Sequence, residues 1–414
     1  MERVILHVDI NNFYASVECL YRPELRDVPM AVGGDPEQRH GIVLAKNNIA
    51  KQAGVKTGEA LWQAREKCPE IVFVKPDFKK YKSFSKMAKE ICYSYTDCVE
   101  GFGPDENWLD VTGSIGLFGD GEKIANSVRK RMKEELGITV SVGVSFNKVF
   151  AKLGSDLKKP DAVTIISRDN FKNIVWPLPG GEMLFVGRRT MNRLARLNIN
   201  TIGDIARADT KVLRGELGKQ GELIRKFARG EDNSPVCEIN FSEPVKSVGN
   251  GVTLPYDIKD CEDIKLVLII LSESVAFRMR EKGISGRTVQ LTIKDCNFNS
   301  FDRQKKLSGT VSSSEEIYKT AQLIYNENKE GLPPVRSLTV RVCDMEANCA
   351  VQMALGENYA YKLRNEKLDE TVVDIRTRFG YESIKRGILL INKDLSVNKP
   401  KINSFQNENF LKQM

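Results

Sequence analysis

The sequence predicts a multidomain α+β protein, and three observations carry that expectation. Its 414 residues exceed what one hydrophobic core usually holds, so roughly two to four domains are expected. Strand and helix signals alternate through residues 1–166, with a hairpin between two helical runs, as in a ferredoxin-like sheet. Residues 167–233 then change to short helices and Gly-bearing turns, and residues 245–345 return to helix runs between strand-like segments.

Taken in order, Val4, Ile5, Leu6 and Val8 leave the first strand almost no polar face, and Asp9 stands at its end. A helix carrying Phe13, Tyr14, Ala15 and Val17 follows. "YTDCVEGFGPDENWLDVTG" reads as two short strands joined by a turn at Gly103-Pro104-Asp105. Ile124, Val128, Met132 and Leu136 recur every four residues on an amphipathic helix, and Gly137 is placed to cap its end. In "TVSVGVSF" (139–146) the alternation of Val140, Val142, Val144 and Phe146 predicts a half-buried strand. The segment "GEDNSPVCEINFSEPVKS", with Pro235 and Pro244 and little periodicity, contains an interdomain linker at 234–244. In "RTVQLTIKD" Val289, Leu291 and Ile293 share one face, and Thr288, Gln290, Thr292 and Lys294 the other. The last 69 residues, 346–414, hold one helix, with Leu368, Val372, Ile375 and Phe379 at helical spacing, and end in a polar tail.

Composition narrows the chemistry. Hydrophobic residues make up 41% and charged residues 29%, ordinary for a soluble globular protein. "MERVILHVDI" enters a strand directly and lacks the features of a signal peptide, and "VLIIL" is too short to span a bilayer. No membrane association and a cytoplasmic location are expected. Nine scattered cysteines form no CxxC pair, and His7 and His40 are the only histidines. That disfavours a zinc site, a disulfide framework and Ser-His or Cys-His catalysis, so any metal chemistry should use oxygen ligands. The net charge of +8 suits a polyanionic partner, and equally an ordinary basic cytosolic protein.

The carboxylates are the sharper signal. A charge at the tip of a buried strand, as at Asp9, needs a hydrogen bond, a cation or a metal. Asp105 and Glu106 stand adjacent at the hairpin turn, where each raises the other's pKa unless something positive lies between them. Two magnesium ions would remove that cost and can drive phosphoryl transfer.

"HVDINNFYASVE", "GFGPDENWLDVT" and "GVSFNKVFAKLGSDLKKPD", in this order, resemble the motifs of Y-family translesion DNA polymerases, most closely the bacterial DNA polymerase IV group. The resemblance spans about residues 1–345. It implies a right-hand polymerase: a ferredoxin-like palm (1–21 and 76–166), small fingers (22–75), a helix-hairpin-helix thumb (167–233), the linker, and an α+β little finger (245–345). It further implies that Asp9 and Asp105 bind two Mg2+ ions, that Glu106 is the third catalytic carboxylate, and that the Ile10 carbonyl adds a ligand. The family's frequent aspartate two positions after Asp9 is Asn11 here and is not a metal ligand in the family.

By the same resemblance Tyr14, beside Phe13, is the steric gate whose ring excludes a ribonucleotide's 2′-hydroxyl. Asn48 and Lys51 occupy fingers positions that commonly carry tyrosine and arginine, and Lys159 matches a second phosphate-binding lysine. "MLFVGRRTMNRLARLNINTIGDIA" resembles the thumb's helix-hairpin-helix, with Gly187 in the hairpin facing a DNA phosphate. Residues 241–350 carry 15 basic and 15 acidic side chains, so a DNA-binding face must come from arrangement, with Lys294, Arg303, Lys305 and Lys306 on one side. "FKKYKSFSK" reads as a helix with a solvated face. Gln352 to Leu355 resembles the start of a sliding-clamp-binding peptide, with Gly356 where an aromatic is usual, which implies weak clamp contact. The partners expected are primer-template DNA and a dNTP, with the protein a monomer. Two other readings remain at this stage: a nucleotidyl cyclase, which can place paired metal carboxylates on a similar sheet, and a noncatalytic DNA-binding scaffold.

Overall fold

Six consecutive buried residues make up β1 (Ile5–Ile10), the pattern of a strand inside a sheet covered on both faces. A computed structural model describes residues 2–34, 41–239, 241, 244–347, 359–380 and 383–396. The chain divides into two compact units, with the boundary after Ser242.

The first unit continues with β2 (Met30–Gly33), β3 (Val43–Lys46), β4 (Val72–Val74), β5 (Val99–Gly101), β6 (Glu106–Asp110), β7 (Val140–Ser145) and β8 (Val163–Ile166). Its main sheet has the order β5-β6-β1-β7-β8, with β1 antiparallel to both neighbours. A separate sheet, β3-β2-β4, is built from the chain between Met30 and Val74. The helix Gly121–Leu136 packs on the main sheet through Ile124, Val128 and Met132. Asp120 caps its start by accepting from Lys123 N–H, and Gly137 closes its end at φ 69°, a left-handed conformation that suits glycine.

Strand β7 differs from the expectation of a half-buried strand, because all six of its residues are buried. The helix Lys148–Leu157 crosses its second face so closely that a Cβ on Gly143 would lie 1.9 Å from the Ala151 carbonyl oxygen. Ser141 and Ser145 hydrogen-bond inward to Asn11 Oδ1 and the Ile166 carbonyl. Beyond the sheet, the helices Phe171–Val175, Arg188–Ala195, Ile202–Arg207, Thr210–Leu217 and Lys219–Ala228 gather around Leu194, Ile202, Ile205, Leu213 and Ile224.

The second unit holds β9 (Ser247–Ile258), β10 (Ile284–Asp295), β11 (Ser300–Val311) and β12 (Val335–Ala347), an antiparallel sheet in the order β11-β10-β12-β9. The helices Cys261–Glu281 and Ser314–Asn328 share a core with Val289, Leu291, Ile293, Leu338, Val340 and Val342. The other face is polar: Thr288, Gln290, Thr292 and Lys294 lie beside Cys343, Arg341, Thr339 and Ser337. The strand register splits the expected single basic face. Lys294 and Lys306 belong to the polar face, whereas Arg303 and Lys305 pair with Leu291 and Val289 and point to the helix side. There Arg303 donates to Asn328 Oδ1 at 3.1 Å, and Lys305 sits 3.3 Å from Glu327.

The helix Tyr359–Phe379 also departs from its sequence pattern. Leu368 and Phe379 are 57% and 74% exposed, so the apolar stripe is not the docking surface. Asp369 instead accepts from Ser314 N–H at 2.7 Å and pairs with Arg280. Glu273 is gripped by both Arg376 and Arg386, and Arg386 reaches Glu315 as well. The tail holds more than the one expected helix: turns at Gly387–Leu390 and Lys393–Ser396 follow, with Leu389 and Leu395 buried. Gln352 and Leu355 lie outside the described residues. Among the described residues no helix is long and apolar enough to cross a membrane, and the cysteines are free.

Candidate active site

Strand pairing brings three carboxylates to one end of the main sheet. Asp9 on β1 lies directly opposite Glu106, the first residue of β6. Ile10 N–H donates to the Asp105 carbonyl at 3.0 Å, which fixes Asp105 beside the same strand end. Period-two alternation puts His7 and Asp9 on one face of β1, with Trp108 and Glu106 as their partners on β6. The helix Lys148–Leu157 covers that face and supplies Lys152 and Ser155, and the loop after it supplies Lys159.

The three carboxyls differ in how tightly they hold a proton. Burial pushes Asp9 up to about 6, even with Lys159 Nζ 2.8 Å from its Oδ2. Asp105 rises to about 7, first through burial and then through the charges of Asp9 and Glu106. For Glu106 burial also acts upward, but contacts with His7 and Lys152 outweigh it and hold the group at about 2. His7 itself is pushed below its ordinary value by burial. Its Nε2 lies 3.2 Å from Glu106 Oε2, and its Nδ1 hydrogen-bonds with Ser155 Oγ at 2.8 Å.

Among the described residues, no three His, Cys, Asp or Glu side chains are already arranged as a metal-ligand group. Lys159 on Asp9 and Lys152 on Glu106 take positions that a bound cation would contest. The donor set still fits a hard divalent cation, since it is all oxygen. Burial first, and then the neighbouring carboxylates, raise Asp9 and Asp105, and a bound cation would act in the opposite direction. Asn11 takes no part: its Nδ2 donates to Thr139 Oγ1 at 3.1 Å and its Oδ1 accepts from Ser141 Oγ at 2.9 Å.

Tyr14 stands beside this cluster. Its hydroxyl is pushed up to about 12 by burial and then by the charge of Asp105. The ring stacks on Tyr81 at 4.2 Å between centroids and meets Phe78 edge-on at 6.1 Å. Tyr81 is fully buried and donates to Glu18 Oε1 at 2.7 Å. Phe13, in contrast, is core: the residue is 3% exposed and does not line an open pocket. Asn48 and Lys51 share one side of the helix Asn48–Gln52, and Asn12 Nδ2 donates to Asn48 Oδ1 at 2.9 Å. Elsewhere Gly187 is the N-cap of the helix Arg188–Ala195, with no neighbour near its Cα face. In the second unit Lys294 Nζ lies 5.1 Å from the centre of the Phe298 ring.

Several of these partners escape sequence reasoning. His7 had a signal in its two-residue spacing from Asp9, and Lys152 in its place within the motif that contains Lys159 and ends at Asp161. Phe78 and Tyr81 belong to "FKKYKSFSK", whose aromatic positions 78, 81 and 84 mark the buried side of the helix Phe78–Tyr93.

Comparison with known proteins agrees with this architecture. The sequence profile of the impB/mucB/samB family matches residues 8–156, and that of its C-terminal domain matches residues 245–355. The DNA polymerase IV of Acetivibrio thermocellus is 50% identical over 96% of this chain and 100% of its own length. DNA polymerase IV 2 of Bacillus subtilis is 37% identical over 94% of this chain and 95% of its own. A solved Y-family DNA polymerase chimera superposes with a TM-score of 0.74 at 25% identity, covering 83% of this chain and all of its own. With both profiles in place and identity extending over nearly the whole length, the chain belongs to the impB/mucB/samB family, as a Y-family polymerase of the DNA polymerase IV group.

Proposed function

We propose that Asp9, Asp105 and Glu106 form the catalytic centre of a template-directed DNA polymerase that adds dNTPs to a primer 3′-hydroxyl in translesion synthesis. The observation that supports this reading best is the meeting of three carboxylates on two adjacent strands, Asp9 opposite Glu106, with Asp9 and Asp105 both shifted upward. Bound there, two Mg2+ ions would promote ionisation of the primer hydroxyl and neutralise the departing pyrophosphate. Asp9, Asp105 and the Ile10 carbonyl would hold them, and Glu106 would face the primer terminus. Lys159, now on Asp9, is within reach to exchange that carboxylate for a phosphate oxygen. Asn48 and Lys51 would add donors from the fingers, and Tyr14, braced by Tyr81 and Phe78, would stand under the sugar.

The domain reading follows: palm 1–21 and 76–166, fingers 22–75, thumb 167–233, linker 234–244 and little finger 245–345. Gly187 would meet a DNA phosphate at its helix start. On the little finger Lys294, with Lys306 and Arg341, lies on the polar sheet face, whereas Arg303 and Lys305 would have to leave Asn328 and Glu327 to reach DNA. Sliding-clamp contact through Gln352 and Leu355, a monomeric state and a cytoplasmic location complete the reading.

Primer extension tests it. Wild type with Mg2+ extends a primed template, whereas Glu106→Ala, folded by circular dichroism, loses about 10²- to 10³-fold of the rate, the scale for removing a group that stabilises transition-state charge. Wild-type extension by Glu106→Ala would remove Glu106 from the catalytic set.

A further inference from the structure

The family commonly has a tyrosine at the position of Asn48, and this chain has a short amide there that cannot reach as far. Asn48 is exposed at the first position of its helix, and its side chain accepts the hydrogen bond from Asn12. Asn12 is itself unusual. It lies just past the end of β1 with φ 51° and ψ 38°, a left-handed conformation that asparagine tolerates better than most residues. Its side chain makes no hydrogen bond to the helix that it precedes and is directed to Asn48 instead.

We propose that Asn12 is a positioning residue that orients the Asn48 amide for the phosphates of an incoming nucleoside triphosphate. The argument is one of donors and acceptors. An Asn amide has one oxygen that accepts and one NH2 that donates. With Asn48 Oδ1 occupied by Asn12 Nδ2, the group that Asn48 has left to offer is its NH2. An anion is recognised by donors alone, so an amide free to flip would present its repelling oxygen part of the time. Asn12 removes that alternative before the ligand arrives, which is preorganisation. The setting suits an anion: Lys51 is one turn further along the same helix, and Lys46 is held below its ordinary value by burial and then by the charge of Lys51. The pair thereby ties the segment after β1, next to the carboxylates, to the fingers segment that carries Asn48 and Lys51.

This inference rests on the polymerase reading, and its test separates the two. Asn12→Gly is the variant of choice, since glycine keeps the left-handed backbone and removes the amide. KM and kcat for dNTP are measured in primer extension for wild type, Asn12→Gly, Asn48→Ala and the double variant. The dNTP Kd is measured as well, on a chain-terminated primer-template where no bond can form. Each single variant is expected to raise KM and Kd about five- to tenfold, the scale of one hydrogen bond to a charged group, with a smaller change in kcat. The double variant should be no worse than Asn48→Ala, because Asn12 acts through Asn48. Wild-type KM and Kd in Asn12→Gly, or a double variant equal to the product of the singles, would overturn the positioning role. If Asn12→Gly melts early, Asn12→Ser, too short to reach Asn48, is held to the same criterion. A wild type that cannot extend a primer would overturn the polymerase reading with it.

Discussion

In the first unit β1 and β7 are buried on both faces, and the polar side chains they carry lie at strand ends or are hydrogen-bonded inward. In the second unit β10 and β12 bury Val289, Leu291, Leu338 and Val340 against helices and turn Thr292, Lys294, Thr339 and Arg341 to the other side. A sheet covered twice can present reactive groups only where its strands stop, so a few carboxylates are forced together at one point. A sheet covered once presents an area instead, over which many weak contacts can be spread. The first arrangement suits chemistry, which needs fixed distances, and the second suits grip on an extended polyanion. Substitutions should accordingly act sharply in the first unit and gradually in the second.

The most damaging substitution expected is Gly143→Ala. Its Cβ would strike the Ala151 carbonyl, so the helix that carries Lys152 must move; a loss of about 3 kcal/mol or failure to fold is predicted. Thr292→Ala on the second sheet should stay within about 0.5 kcal/mol. Urea denaturation compares the two, and equal effects would break the contrast. Next comes Tyr14→Ala, expected to keep dNTP use and to raise ribonucleotide incorporation about 10- to 100-fold by deleting a clash. Unchanged rNTP/dNTP selectivity would place the gate elsewhere. Arg341→Ala, on the polar face of the second sheet, should weaken primer-template binding severalfold, alike for all sequences, and lower the salt slope by about one. A sequence-dependent loss in titrations from low to high salt would contradict a backbone role.

The smallest effect expected concerns charge. The folded pKa of Asp105, about 7, lies above its ordinary 3.8, so the folded state holds this proton more tightly than the unfolded state does. Stability therefore falls as pH rises from about 4 to about 7, and the full cost is present above that. Without metal at pH 8, Asp105→Asn should melt about 2–4 °C above wild type, with the gain gone near pH 4 and reduced by Mg2+. The transition is followed through the first unit, and a variant that melts below wild type at pH 8 would show that the Asp105 charge is well compensated.

What the residues reveal in advance follows the same division. Val289, Leu291 and Ile293 alternate strictly with polar neighbours, and the β10 faces are as that period dictates. Asp9, Asp105 and Glu106 are legible as a group because each sits in a short local motif, and the strand register brings them together. Lys152, Ser155 and Tyr81 are not legible in this way, because their contacts depend on which helix crosses which face, a long-range choice. In β7 small residues between the valines read as an open face, when they are small because a helix backbone lies on them. The side assigned to Arg303 and Lys305 fails for a simpler reason: residues 294 and 306 share a face only through their register, and the intervening hairpin sets that register.

The polar docking of the helix Tyr359–Phe379 bears on how this protein can be cut and recombined. A boundary drawn at residue 345, the end of the proposed little finger, looks like a natural place to truncate or to graft the second unit onto a relative. Such a fragment would take Arg376 and Arg386 from Glu273, Asp369 from Arg280 and Arg386 from Glu315, and would uncover Leu266, Ile269 and Ile270 where Leu389 now packs. Leu395 would be missing from the main core as well. The smallest transplantable module on this side of the chain therefore reaches to Leu395.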